Sequence, residues 1–204
     1  MEELDSNLRR LKLWARISTW TIALYIACAA AFTVGGFAIL AGTNSDNASL
    51  LGFYGVTALG NALMFYLSAF AIGMWIYRAH DNLERLGHSD LEFTPGWSVG
   101  WFFVPFANLV MPFRAMRELW NSSCGSEAPS APILPLWWGC FLFGGITMSI
   151  ASFAGGKSDD LSVMLPMMGV GSILRLSSAV ILALIIRRIT SAQASMEGIG
   201  ATFE

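Results

Sequence analysis

One group of side chains in the 204-residue sequence has the spacing of a metal site. His80, Glu84 and His88 are four residues apart, so on a helix they would share one face, where two imidazoles and a carboxylate could hold a metal ion. Gly87 weakens such a helix and no fourth ligand lies nearby, whereas zinc usually needs three or four protein ligands. We therefore expect no metal site here.

Arg175 is the second candidate for chemistry, because it lies inside a long apolar run. The twelve residues before it and the eleven after it carry no charge. An arginine at the centre of a spanning helix costs about 2.5–3.5 kcal/mol on the insertion scale, so it should face protein or water and have a partner. Two interpretations stay open. Arg175 could line an anion or lipid-headgroup path, or it could form a buried structural pair with Asn61, Asn108 or backbone carbonyls of the central stretch.

The sequence shows none of the residue sets that are typical of enzymes. No Ser/His/Asp, Cys/His or paired-carboxylate group converges near the apolar runs, and no Gly-rich phosphate loop or long basic strip is present. The three cysteines match neither a disulfide framework nor a metal spacing. We expect a protein without catalytic activity, without a cofactor and without a nucleic-acid partner.

The composition indicates the class of protein that positions these residues. Hydrophobic residues make up 55% of the chain and charged residues 13%, against about 25% charged in soluble domains, and the mean hydropathy is +0.57. Four apolar runs exceed the roughly 20 residues that cross a bilayer core, and a helix satisfies its own backbone groups in lipid. The sequence predicts an all-α membrane protein, one integral membrane domain over residues 1–204, with transmembrane helices at about 17–41, 50–77, 133–154 and 161–186.

The N-terminal residues Met1–Arg16 have the pattern of an amphipathic helix. Leu4, Leu8, Leu11 and Trp14 recur at helical spacing, as in a helix at a membrane interface. The apolar run that follows continues to residue 41 and is longer than the 7–15 residues of a signal peptide core. We expect this helix to run directly into the first spanning helix as an uncleaved anchor.

The stretch Leu91–Trp120 is apolar but is interrupted by Pro95, Pro105 and Pro112. Its uncharged part, residues 96–111, is too short for a straight spanning helix. We predict that residues 93–120 re-enter the membrane or lie in its interface and end in an amphipathic surface helix, before a flexible linker at 121–132. The candidate functional or packing residues in this segment are Gly96, Trp97, Gly100, Trp101, Pro105, Asn108, Arg114 and Arg117. We expect the Trp side chains to anchor the segment at the interface and the Gly96-x-x-x-Gly100 pair to admit another helix.

The distribution of Lys and Arg predicts the orientation in the membrane. Ten of them lie in residues 1–16, 78–120 and 187–188, whereas the loops near Asn44 and Gly155 hold only Lys157. Basic residues concentrate on the cytoplasmic side of membrane proteins. Both termini and the central loop are therefore predicted to be cytoplasmic, with four crossings.

Two blocks of the sequence resemble a known family. The first runs from Trp75-Ile76-Tyr77-Arg78-Ala79-His80-Asp81-Asn82-Leu83 through Pro95-Gly96-Trp97-Ser98-Val99-Gly100-Trp101 and Pro105-Phe106-Ala107-Asn108-Leu109 to Pro112–Trp120. The second is the tail Arg187-Arg188-Ile189-Thr190-x-x-Gln193. Together they resemble the bacterial membrane family known as domain of unknown function 4328, over roughly Met64–Gln193. The resemblance implies a bacterial multi-pass membrane protein and implies no activity.

From these patterns we expect a non-enzymatic protein of the bacterial inner membrane that acts as an interaction or scaffold module. Its partners would be the lipid bilayer and a protein partner or a second copy of the chain. The alternative is a small transporter or channel, in which Arg175 and the re-entrant segment line an anion or lipid path. A water-lined cavity that reaches Arg175 would favour the alternative, and a dry, packed bundle would favour the scaffold.

The predicted orientation can be tested by cysteine labelling with a membrane-impermeant maleimide. Asn44→Cys and Ser158→Cys should react in intact cells, whereas Ser89→Cys and Ser191→Cys should react only after permeabilisation, because the bilayer blocks the reagent. Labelling of Ser191→Cys in intact cells would mean an odd number of crossings and would contradict the four-helix topology.

Overall fold

The computed structural model describes residues 2–40, 48–88, 90–125, 132–155 and 161–200. The turn predicted at 42–47 and most of the turn predicted at 155–160 lie outside these ranges. The described chain has helical secondary structure almost throughout.

Within the described ranges, six α-helices follow one another: α1 (Glu2–Leu40), α2 (Ala48–Arg85), α3 (Pro95–Gly100), α4 (Met111–Cys124), α5 (Ile133–Gly155) and α6 (Leu161–Gly200). Two 3₁₀ turns, Trp101–Phe103 and Ala107–Leu109, lie between α3 and α4. The described ranges contain no strand, so the all-α prediction is confirmed. Four helices, α1, α2, α5 and α6, are long and apolar enough to cross a membrane.

Helix α1 confirms that the amphipathic N-terminal helix continues into the first spanning run, whereas α6 and α4 both extend further along the chain than the sequence patterns indicate. The sequence predicts an end of the fourth spanning helix at Ile186, whereas α6 continues to Gly200. Arg187 and Arg188 do not end it, because they are exposed while Ile189 and Gln193 are fully buried. The predicted linker at 121–132 also begins too early, since α4 includes residues 121–124.

The chain divides into two compact units, to which α1, α2 and α6 each contribute. The first, which we call the polar unit, consists of Met1–Trp20, Ala69–Leu136 and Leu182–Glu204. The second, the apolar unit, consists of Thr21–Ser68 and Trp137–Ile181.

The polar unit has an apolar core to which four helices contribute. Leu11 of α1, Trp75 of α2, Leu119 of α4 and Ile185 of α6 are all fully buried. Each of these residues belongs to an apolar stripe at helical spacing, so one face of every helix is directed inward. This core holds α4 against its neighbours, and α4 carries the end of the central segment.

The apolar unit exposes large apolar side chains, as expected for helices in contact with lipid. The exposed side chains include Val34, Val56, Leu59, Tyr66 and Ile173. Because water would make such a surface unfavourable, the bilayer is its natural solvent.

Helices α5 and α6 approach each other closely at two glycines of the apolar unit. A Cβ atom built on Gly144 would lie 2.8 Å from Cγ of Arg175 and 3.1 Å from the backbone N of Arg175. A Cβ atom on Gly171 would lie 2.9 Å from Cγ of Met148. Helices in membranes associate through such close contacts at small residues.

This close approach predicts opposite effects for two neighbouring substitutions. Gly144→Ala should lower the stability by about 1–3 kcal/mol through overpacking. Gly145→Ala should hold or raise the stability, because no atom of the described chain lies within 4 Å of its Cβ and Ala favours helix. Thermal unfolding in detergent measures the stability of both variants relative to the wild-type protein. Equal unfolding temperatures for the two variants would show that α5 and α6 do not pack at Gly144.

Candidate functional site

Gln193 of α6 connects three helices of the polar unit through buried hydrogen bonds. Its Nε2 donates to the carbonyl oxygen of Ala79 at 3.1 Å and to Oγ of Ser123 at 2.9 Å. Its Oε1 accepts from Nδ2 of Asn82 at 3.0 Å. Because Gln193 is fully buried, an unpaired amide would cost about 1–3 kcal/mol for each group left unsatisfied. The amide therefore fixes α6 against α2 and α4.

A second buried hydrogen bond joins α2 to α6. Nε1 of Trp75 donates to Oγ1 of Thr190 at 3.0 Å, and both residues are buried. Trp75 and Asn82 are seven residues apart on α2, two helical turns, so they lie on one face of that helix. Polar contacts thus recur along the α2–α6 interface.

Glu118 of α4 holds the start of the central segment. Its two carboxylate oxygens accept hydrogen bonds from the backbone N–H groups of Glu92 and Phe93, the latter at 3.1 Å. The Glu118 side chain is only 15% exposed. Arg114, one turn earlier, donates to Oε1 of Glu92 at 2.6 Å. Glu118 therefore anchors this backbone, and Arg114 holds the Glu92 side chain beside it.

His80 is fully buried beside the Glu118 carboxylate, beyond the predicted spanning run of α2. Its Nδ1 lies 3.0 Å from the Ile76 carbonyl oxygen and donates to it, and its Nε2 lies 3.9 Å from Oε2 of Glu118 without a hydrogen-bond partner. Burial lowers the pKa of His80 to about 4, and the hydrogen bond to Ile76 offsets only part of this effect. At neutral pH His80 is uncharged, so this contact is not an ion pair.

His80, Glu84 and His88 do not form one helical face. Helix α2 ends at Arg85, and Gly87 has φ of +89°, so His88 lies beyond the helix. Glu84 is exposed while His80 is buried.

Helix α3 has a capped N-terminus. Oγ1 of Thr94 accepts from the backbone N–H of Trp97 at 3.4 Å, and Pro95 occupies the first helical turn. Oγ of the buried Ser98 donates to the Pro95 carbonyl oxygen at 2.7 Å. Val99 approaches α2 at Gly73, where an added Cβ would lie 3.4 Å from Cγ1 of Val99. The segment thus packs on α2.

Trp97 of α3 and Trp101 of the following 3₁₀ turn lie side by side. Their ring centroids are 5.0 Å apart, and the two rings line an open cleft of 220 Å³ with Phe93, Thr94 and other residues of the segment. Trp97 is 56% exposed and Trp101 is half-buried. Both therefore retain surface for contact with lipid or a ligand.

No other helix of the described chain approaches the glycines of α3. No atom of the described chain lies within 4 Å of a Cβ placed on Gly96. At Gly100 the close neighbour is the ring of Trp97, 3.1 Å away. The expectation that the Gly96-x-x-x-Gly100 pair serves helix packing is not met here, and the close helix contacts occur instead at Gly144 and Gly171.

The turn after α3 directs its aromatic side chains outward. Phe106 has φ of +63°, which is an outlier for a bulky residue. Three backbone hydrogen bonds hold the turn, from Ala107 to Pro105, from Asn108 to Val104 and from Leu109 to Phe106. Phe103 is 82% exposed and Phe106 is 87% exposed. Pro105, Asn108 and Arg117 are exposed too, and Arg117 lies over the Phe113 ring at 5.8 Å.

Arg175 lies in the apolar unit and not among these residues. Its guanidinium carbon is 5.6 Å from the centroid of the Phe65 ring. The predicted pair with Asn61 is not formed, because Oδ1 of Asn61 is buried without a hydrogen-bond partner. A cation–π contact contributes about 0.5–2 kcal/mol, against about 2.5–3.5 kcal/mol for inserting the arginine. Phe65 therefore compensates only part of the cost.

The four long apolar helices and their exposed apolar faces define a multi-pass membrane protein. The family model described as Domain of unknown function (DUF4328) matches residues 44–191. Since this match covers well over half of the chain, the protein belongs to that family. No curated protein and no solved structure was found to match the chain.

The blocks that carry the family resemblance contain most of the buried polar contacts of the polar unit. Asn82 and Glu118 lie in the first block, and Thr190 and Gln193 in the second. The sequence patterns gave no role to these four residues. One signal points to Gln193: it continues the α6 stripe of Leu182, Ile186 and Ile189 at helical spacing. No comparable signal points to Glu118.

The hydrogen bonds of Gln193 predict a specific loss of stability. Gln193→Leu should destabilise the protein by about 2–5 kcal/mol, because it leaves buried groups on both α2 and α4 unpaired. Ser191→Leu places the same side chain at an exposed position of α6 and should change stability by less than about 0.5 kcal/mol. Thermal unfolding in detergent measures both, and a Gln193→Leu protein as stable as the Ser191→Leu protein would contradict the role given to Gln193.

Proposed function

We propose that the protein is a non-enzymatic interaction module of the bacterial inner membrane, with both termini in the cytoplasm. Its working surface is the segment 95–110, which we call the platform. The platform lies in the cytoplasmic interface of the bilayer and presents the polar unit to a protein partner or a second copy of the chain.

The observation that carries this proposal is the exposure of Phe103 and Phe106 on a backbone that is fixed. Four large apolar residues between positions 103 and 110 are each at least 49% exposed: Phe103, Phe106, Leu109 and Val110. A flexible loop could bury such side chains by folding back. The backbone hydrogen bonds from Ala107 to Pro105, from Asn108 to Val104 and from Leu109 to Phe106 hold the turn in this conformation. The exposed apolar surface must therefore be covered from outside.

The chemistry of the platform favours lipid as its primary contact. Residues 96–111 carry no charge, and Arg114 and Arg117 follow directly. Aromatic residues flanked by arginines are typical of the membrane interface, where rings meet the acyl boundary and guanidinium groups reach the headgroups. The platform would thus fix the depth and tilt of the polar unit, whose remaining surface is free for a partner. The alternative, a small transporter or channel, stays a prediction.

Spin labels in reconstituted protein test the position of the platform. A nitroxide at Phe106→Cys should be accessible to oxygen and protected from a water-soluble nickel chelate, because it lies in lipid. A nitroxide at Glu84→Cys, an exposed polar position of the same unit, should show the opposite pattern and serves as the control. Power-saturation electron paramagnetic resonance of the labelled proteins in vesicles measures how accessible each nitroxide is to oxygen and to the nickel chelate.

Equal access of the nickel chelate to both labels would place the platform in water and contradict the proposal. Protection of the Phe106 label from both reagents would instead show a protein covering the platform. That outcome contradicts lipid as the primary contact and supports a protein partner or a second copy at the same surface.

A further inference from the structure

We propose that the apolar unit contains a binding site for one monovalent anion. The site consists of the Arg175 guanidinium, the Ser68 hydroxyl and the Asn61 amide. It goes beyond the interaction module proposed above and does not depend on it, since all three residues lie in the apolar unit.

The charge on Arg175 has no counterpart in the described part of this unit. Among its described residues, Arg175 is the only one with a charged side chain, as the sequence shows directly. Eleven uncharged residues follow it before Arg187, so the headgroup region is several helical turns away. A cation at this depth needs a compensating negative charge or polar partner, and within the described residues the contact of its guanidinium is with the Phe65 ring.

The position of Arg175 is fixed by its neighbours. Its stem lies against Gly144, whose missing Cβ leaves the space that Cγ of Arg175 occupies. Its guanidinium lies over Phe65 of α2. Arg175 as a whole is half-buried.

Ser68 supplies a hydroxyl that lacks the usual acceptor. Hydroxyl groups in a membrane helix commonly donate to a carbonyl three or four residues earlier, and five side chains of this unit do so: Thr33, Thr57, Thr147, Ser149 and Ser152. Ser68 is 5% exposed, and its Oγ has no hydrogen-bond partner. Its O–H is therefore free to donate to a ligand.

Asn61, Phe65 and Ser68 occupy one face of α2, because they are spaced by four and three residues. The two polar residues therefore flank the ring that carries the guanidinium. Oδ1 of Asn61 is buried without a partner, and rotating the amide by 180° places its NH₂ group there instead.

This set of groups selects the charge of the ligand. It offers a guanidinium, a hydroxyl and an amide, and no carboxylate. Such a site attracts an anion and repels a cation. The one positive charge of Arg175 in a low-dielectric region is balanced by one negative charge. The ligand class is therefore a monovalent anion, either a free halide or the phosphate diester of an anionic lipid.

Thermal unfolding of purified protein in detergent tests the site. In the first series, chloride replaces gluconate in the buffer at constant ionic strength. In the second series, phosphatidylglycerol is added to protein in the gluconate buffer. Binding to the folded state alone should raise the unfolding temperature of the wild-type protein by about 5–10 °C at 100 times the Kd. A rise with chloride identifies a free anion, and a rise only with phosphatidylglycerol identifies a lipid headgroup.

Arg175→Gln should abolish the anion-dependent rise in unfolding temperature. Arg175→Lys should keep part of this rise, because lysine retains the charge but not the planar fork of the guanidinium. Ser68→Ala should reduce the rise and tests the site even if Arg175→Gln fails to fold. Ser149→Ala is the matched control, since that hydroxyl donates to its own helix, and it should leave the rise unchanged.

An unfolding temperature of the wild-type protein that rises with neither chloride nor phosphatidylglycerol would overturn the proposal. So would an undiminished rise in Arg175→Gln, because the anion would then bind elsewhere. A rise that Ser68→Ala and Ser149→Ala reduce equally would also overturn the part assigned to Ser68.

Discussion

The organisation of the polar unit depends on the pairing of one buried amide. Gln193 can be buried only if its donors and acceptor are satisfied, and its partners lie on α2 and α4. Once α4 is fixed in this way, Glu118 is presented to the backbone of Glu92 and Phe93, which holds the start of the platform. A chain of polar contacts therefore leads from α6 to exposed aromatic residues. Apolar packing alone is not directional and would not specify this arrangement.

The spanning helices and the amphipathic start of α1 could be predicted from the sequence, because run length and hydropathy are local properties. The ends of α4 and α6 could not be predicted in the same way. The paired arginines after Ile186 resemble a stop signal at a membrane surface, yet the helix continues because Ile189 and Gln193 pack into the polar unit. Tertiary burial, which no local pattern of charge reveals, thus accounts for the continuation of α6 past Ile186.

The candidate site was predictable in its location but only partly in its contacts. The prolines and tryptophans of residues 95–112 identify an irregular apolar segment, and the structure shows a short helix and two turns there. The role of Glu118 could not be predicted, since its partners are backbone N–H groups, which no sequence pattern marks. Arg175 was recognisable as an isolated charge, whereas its neighbours Phe65 and Gly144 depend on how α2, α5 and α6 pack. Glycine spacing was likewise a poor guide, because the same type of residue packs tightly at 144 and stands open at 96.

Buried polar contacts of the polar unit hold the platform in place. Hydrogen–deuterium exchange of wild-type and Glu118→Leu protein in detergent tests this directly. The account predicts faster exchange throughout residues 92–110 in the variant, with unchanged exchange in residues 48–68 of α2, because only the anchor of the segment is lost. Identical exchange of residues 92–110 in the two proteins would contradict the account.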